Sequence, residues 1–291
     1  MNLLFNHLLN GLQIGSIYAL VALGYSMVYG IVKLINFAHG DIIMVASYVT
    51  WLLISKLNLP VWASILCSVL FCAVFGMIIE KVAYKPLRKS ERISLLITAI
   101  GVSLLLQNLA MLIFSADPRM FTNFLVGDVT IGSTQLPLTT IVTIGVSVVL
   151  MIGLTLLVNH TKMGKAMRAV SEDNEAAQLM GINVDHTISF TFGLGSALAA
   201  IAAVLYACSY PQISPTMGSM LGLKAFVAAV LGGIGSLPGA MIGGICVGLA
   251  EALAKGYISS QLSDAVVFGI LILVLLIKPT GILGHKVSEK V

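Results

Sequence analysis

Long apolar stretches separated by short polar breaks run the length of the chain, at about 8–32, 36–54, 61–79, 93–114, 140–158, 188–208, 222–236, 239–256 and 265–278. A helix crosses a bilayer with roughly 20 mostly apolar residues, whereas barrel strands are shorter and alternate. The pattern predicts an all-α fold: a polytopic membrane helical bundle of eight or nine transmembrane segments, forming one domain over residues 1–291. The count turns on Gly-Gly-Ile-Gly-Ser-Leu-Pro-Gly at 232–239, where the seventh and eighth stretches meet. Two short spans, a broken helix and a re-entrant hairpin all fit that junction.

Composition removes the soluble classes. Hydrophobic residues make up 58% of the chain and charged residues 10%, with a mean hydropathy of +1.02. A soluble domain keeps about 25% charged residues to hydrate its surface. A soluble enzyme, a nucleic-acid-binding module and a disordered chain are therefore excluded as readings. Cys67, Cys72, Cys208 and Cys246 lie inside apolar runs without metal-site or disulfide-framework spacing, and read as small apolar filler. No Lys or Arg precedes Lys33, so the first stretch is expected to stay as a span rather than act as a cleaved signal.

The net charge of +4 says less than its distribution. Lys81, Lys85, Arg88, Lys89 and Arg92 crowd one loop, Lys162, Lys165 and Arg168 another, and Lys278, Lys286 and Lys290 follow the last stretch. These are eleven of the sixteen basic residues, and span parity puts all three groups on one side. The positive-inside rule makes that side cytoplasmic. Nine spans would put the N-terminus outside and the C-terminus in the cytoplasm.

Glycines recur four apart at Gly11 and Gly15, at Gly235, Gly239 and Gly243, and at Gly244 and Gly248. Such spacing lets helix backbones approach closely. Contact beside a moving pathway and ordinary small-residue packing are both consistent with it.

The cytoplasmic segment 159–187 is too long for a bare connection. Ser171 is placed to cap a helix, with Glu172, Asp173 and Glu175 in a first turn facing the positive end of the dipole. Gly181 suits a left-handed stop. About nine helical residues lie between, with Ala176, Leu179 and Met180 on one side. Such a short helix is marginal alone in water. Its apolar face fits a groove on another protein or packs against its own bundle.

Glu175-Ala176-Ala177 followed by Gly181 resembles the EAA loop of ABC importer permeases, although the Ile-x-Leu-Pro element that continues that signature is absent. Further matches are Ile35-Asn36-Phe37-Ala38-His39-Gly40-Asp41, Glu80-Lys81-Val82-Ala83-Tyr84 with Pro86, and Met180-Gly181-Ile182-Asn183. Lys224-Ala225-Phe226, Val230 through Ala240, and Lys278-Pro279-Thr280-Gly281 complete them. Together they resemble the LivH-type permeases of branched-chain amino acid ABC importers over almost the whole chain.

The resemblance implies a bacterial inner-membrane subunit importing branched-chain amino acids (Leu, Ile, Val) or related amino acids and amides. Implied partners are a homologous second permease, two ATP-binding subunits and a periplasmic amino-acid-binding protein, with membrane lipid around the bundle and no nucleic acid. Ser171, Glu172, Asp173, Glu175, Ala176, Ala177, Leu179, Met180 and Gly181 would couple the bundle to an ATPase. ATP and Mg would sit on the ATPase subunits, leaving no cofactor or metal for this chain. In agreement, Gly164-Lys165 is followed by alanine and lacks the spacing of a phosphate loop. Neither an H-E-x-x-H zinc helix nor a G-x-S-x-G elbow occurs, so no catalytic set marks an enzyme.

Polar residues within the apolar stretches are candidates for the solute path, since they are costly in hydrocarbon unless paired or wetted. Asn36, His39 and Asp41 form one group beside Gly40. They fit a broken segment facing the path or a plain helix start near the cytoplasmic interface. Ser103 and Gln107, four apart on one helix face with Asn108 beside them, would line the path or bond across helices. Gln13, Ser16, Tyr18 and Tyr25 give the first stretch a mild polar stripe. Glu251 with Lys255 reads as a structural i,i+4 pair. No buried acid stands clearly without a basic partner, which weakens the rival reading of an ion-coupled secondary transporter. With so few charges, the spans are expected to hold a zwitterion weakly and to leave specificity to the external binding protein.

Overall fold

The computed structural model describes residues 2–33, 35–88, 90–131 and 134–284. Lys89, Lys286 and Lys290, which entered the charge argument, lie outside the described residues. Within them are eleven α-helices: α1 (Asn2–Val32), α2 (His39–Ser55), α3 (Val61–Ile79), α4 (Arg92–Phe114), α5 (Leu138–His160), α6 (Lys162–Glu172), α7 (Asn174–Leu179), α8 (Val184–Ser209), α9 (Met217–Gly232), α10 (Leu237–Tyr257) and α11 (Ser263–Ile277). A π-turn at Glu80–Tyr84 and a 3-10 turn at Lys85–Leu87 prolong α3. Six of the helices, α1, α3, α4, α5, α8 and α10, are long and apolar enough to cross a membrane. The other apolar ones, α2, α9 and α11, have 17, 16 and 15 residues.

The predicted helical bundle is present, with departures. Two small antiparallel pairs interrupt the all-α expectation: β1 (Arg119–Met120) with β4 (Gln212–Ile213), and β2 (Asp128–Ile131) with β3 (Thr134–Pro137). They occupy what read as plain loops. They mark one end of the bundle, and α6, α7 and the Lys85–Arg88 stretch mark the other, basic end.

The helix α1 is apolar all round, the signature of an interior helix, and 89% of its most apolar window is buried. Its glycines let α10 lie directly against it. A Cβ on Gly15 would come within 2.9 Å of Ile245 Cα, and one on Gly11 within 2.9 Å of Leu249 Cα. By contrast only 17% of the most apolar window of α4 is buried, and Leu104, Leu105, Leu112 and Ile113 turn outward, as on a lipid-facing helix.

The junction at 232–239 resolves into two separate helices. Gly233 and Gly235 take φ of +108° and +91°, a left-handed conformation that stops α9. Ser236 then caps α10 by accepting from the Gly239 N–H at 3.2 Å.

The second stretch starts later than the hydropathy suggested, and deeper. His39, the first residue of α2, packs its ring against Gly24 of α1. Gly24 lies eight residues before Val32, so α2 begins about 12 Å inside the basic end of α1 at 1.5 Å per residue. The helix α9 also begins inside the bundle. After Ser209 the chain turns back inward, and Gly218 meets Gly40, where an added Cβ would sit 2.5 Å from the Gly218 carbonyl oxygen. Two helix starts therefore cross at mid-depth, an arrangement tolerated in a membrane only where the freed backbone is buried or wetted.

Candidate functional site

The crossing of α2 and α9 gathers most of the polar path candidates. Asn36 Oδ1 accepts from the Tyr84 hydroxyl at 2.6 Å, linking the approach to α2 with the turn after α3. The His39 ring meets Tyr25 edge to face at 4.8 Å. Asp41 Oδ1 accepts from Gln107 Nε2 at 3.0 Å, and the same nitrogen lies 3.1 Å from Ser103 Oγ and 3.0 Å from Ser219 Oγ. Asp41, Ser103, Gln107 and Ser219 thus form one hydrogen-bonded cluster across α2, α4 and α9, while Asn36 bonds Tyr84 and His39 packs on Tyr25. The helix α2 starts at His39 with Asp41 in its first turn, as the helix-start reading has it, and all three polar residues are buried within the bundle. Asn36 Nδ2, His39 Nε2 and Asp41 Oδ2 have no hydrogen-bond partner among the described residues. Orphaned polar atoms at such density are unusual in a folded interior.

Gln13 stands apart, toward the hairpin end. Its amide donates to Ser209 Oγ at 2.7 Å and accepts from Thr140 Oγ1 at 2.7 Å. It lines a cleft of about 390 Å³ that also reaches Asn10, Tyr210, Glu251 and Lys255.

The Glu251 pair is larger than the sequence indicated. Lys255 Nζ reaches Glu251 Oε1 at 2.6 Å as expected, and Lys224 Nζ reaches the same oxygen at 2.8 Å. The Tyr18 hydroxyl donates to Oε2 at 2.6 Å, and Lys224 also contacts Asp264 at 2.6 Å. Two acids and two lysines balance, tying α1, α9, α10 and α11 together. Lys224 and Asp264 were missed as partners. A lone lysine within an apolar stretch was the available signal, because such a charge is kept only when paired.

At the basic end the predicted cap is corrected. Ser171 lies inside α6 and donates its hydroxyl to the Arg168 carbonyl at 2.7 Å. Asp173 is the cap of α7, accepting from the Glu175 and Ala176 N–H groups at 2.8 and 3.0 Å. Glu172 ends α6 rather than opening α7, and α7 has six residues, not nine. Gly181 does take a left-handed φ, +82°. Ala177 is buried against the bundle, Ala176 is exposed, and Leu179 and Met180 are 88% and 82% exposed. Nearby, Arg88 pairs with buried Glu80 and, at 2.6 Å, with Asp185, which also meets Lys85 at 2.6 Å. That cluster, also unforeseen, fastens the turn after α3 to the start of α8.

Comparison with known proteins places this architecture. Residues 7–275 match the family described as branched-chain amino acid transport system, permease component. The chain is 44% identical to the high-affinity branched-chain amino acid transport system permease protein BraD of Pseudomonas aeruginosa, over 98% of this chain and 97% of the relative. Identity to the LivH permease protein of that name in Escherichia coli K12 is also 44%, over 97% and 96%. The ribose import permease protein RbsC of Escherichia coli is 26% identical, over 78% and 69%. No solved structure matches the chain. With near-full-length similarity, the chain belongs to the permease component family of the branched-chain amino acid transport systems: a membrane-embedded ABC transporter subunit, not an enzyme.

Proposed function

We propose that this chain is one of two homologous permease subunits of an importer in the bacterial inner membrane, moving leucine, isoleucine and valine or closely related amino acids. The near-full-length 44% identity to permeases of that substrate class carries the reading. A periplasmic amino-acid-binding protein delivers solute at the hairpin end. Two ATPase subunits, holding ATP and Mg, grip the basic end through residues 171–181. There the exposed Leu179 and Met180 offer an apolar face left uncovered by the described residues. The whole chain acts as one transmembrane domain. All nine apolar helices contribute to the crossing, with α2 and α9 as partial ones, and the C-terminus lies in the cytoplasm. Specificity rests with the binding protein, and Asn36, His39, Asp41, Ser103 and Gln107 line the path.

Affinity purification of the tagged chain from its native membrane tests this. Co-purifying ATPases and a second permease, with uptake of radiolabelled leucine in vesicles holding ATP and the binding protein, is the expected result. A chain that purifies alone and transports without ATP would overturn it.

A further inference from the structure

Gln107 Nε2 sits among three oxygens, Asp41 Oδ1, Ser103 Oγ and Ser219 Oγ, at 3.0, 3.1 and 3.0 Å. A side-chain amide has two hydrogens and so cannot satisfy three acceptors along good directions, whereas a primary ammonium has three donors. The carboxylate among these oxygens belongs to Asp41, which is 1% exposed, has its second oxygen unpartnered and meets no basic side chain in any ion pair among the described residues. A buried carboxylate is unfavourable at membrane depth unless it is paired, wetted or protonated, and a visiting ammonium group is one such partner. Ser219 is exposed and Gln107 only partly buried, so the amide lies between the surface of the chain and the buried acid.

We propose that Asp41 Oδ1, Ser103 Oγ and Ser219 Oγ form a transient site for the α-ammonium group of the translocated amino acid, with the Gln107 amide holding the place when no solute is present. This deepens the proposed function and rests on it. The positive solute end exchanges with Gln107 and gains Asp41 Oδ2 as a second acceptor. Because the amide competes for the same oxygens, the solute is held loosely and released. A carboxylic acid lacking the amine has no partner here.

The test uses the complete importer, with both permeases, ATPases and binding protein, in liposomes. Isopentylamine carries the ammonium and the aliphatic chain, and isocaproate carries the carboxylate and the chain. Isopentylamine is expected to inhibit ATP-driven leucine uptake at concentrations that leave leucine on the binding protein, and isocaproate is not. Asp41→Asn should raise the inhibitory amine concentration by about thirtyfold or more, the usual effect of removing one partner of a buried charge pair, and lower uptake per ATP hydrolysed. Gln107→Ala, which removes the competing amide and keeps the acid, should lower that concentration. Equal amine sensitivity in wild type and both variants would overturn the site. Should Asp41→Asn fail to assemble, an unchanged Gln107→Ala would overturn it alone. Wild-type complex that imports leucine without ATP would instead defeat the proposed function and leave the ammonium contact to be read from the amine data.

Discussion

Lys224 of α9 and Glu251 of α10 meet at 2.8 Å with both side chains buried, and neither is a neighbour of the other in sequence. The pair is the centre of the four-charge network with Lys255 and Asp264 and of the Tyr18 hydrogen bond. Removing one partner of a buried pair leaves the other uncompensated, at a cost of about 3–5 kcal/mol. Glu251→Gln and Lys224→Met should each lower the melting temperature of the purified complex sharply. The double variant Lys224→Met with Glu251→Met should recover part of the loss. A thermal shift assay checks this, and singles as stable as wild type would remove the network from the account. The same data bear on the ion-coupled rival, which needs Glu251 for ion dependence rather than for folding.

Close packing of α1 on α10 gives a second expectation. Gly15→Val forces side-chain atoms where Ile245 Cα allows 2.9 Å to a Cβ, so the helices must separate and lose packing along their length. Gly101, with nothing within 4 Å of an added Cβ, is the control. Gly101→Ala should insert and assemble normally, and Gly15→Val should leave little complex on size-exclusion chromatography. Equal yields would show that α1 and α10 are not tightly seated.

At the basic end, Leu179→Asp with Met180→Asp changes two side chains that touch little within the chain. Bundle stability should be unchanged while binding-protein-stimulated ATP hydrolysis and uptake fall together by about tenfold or more, as for loss of an apolar anchor at an interface. Asp173→Ala, which removes the cap, should cost about 1 kcal/mol of local helix stability, with a smaller loss of coupling. Wild-type ATPase stimulation in the double aspartate variant would contradict the role of α7.

Much of this was legible beforehand, and the failures have identifiable physics. Hydropathy located the six long and three shorter apolar helices among the described residues, because lipid and core alike demand long apolar runs. The break at Gly233–Ser236 was visible as a glycine cluster, but choosing between two helices and a hairpin required its φ values. The cap moved from Ser171 to Asp173 because both residues are good caps. The Ser171 hydroxyl bonds back within α6, which local sequence does not decide. Asp41 was recognised as polar in a costly place. The expectation that no buried acid stands without a basic partner is corrected there: Asp41 is buried and meets no basic side chain among the described residues. That depended on which helices surround it, and Ser219 beside it comes from a segment far along the chain. The β2–β3 pair escaped notice because strands of four residues leave too short a pattern to read.

Sidedness has its own check. In a background lacking Cys67 and Cys246, Gln135→Cys at the hairpin end should react with an impermeant maleimide in intact cells, and Ser171→Cys only after permeabilisation. The reverse pattern would invert the bundle and place α7 where no ATPase could reach it.

The central claim is that movement through this bundle is driven from outside the chain, by ATP hydrolysis passed through α7. Its most direct measurement is solute accumulation in proteoliposomes under two energy sources. The account predicts that leucine concentrates only when the whole complex is present with ATP and binding protein, and that an imposed proton or sodium gradient without ATP does nothing. Accumulation by this chain alone, driven by such a gradient, would contradict it.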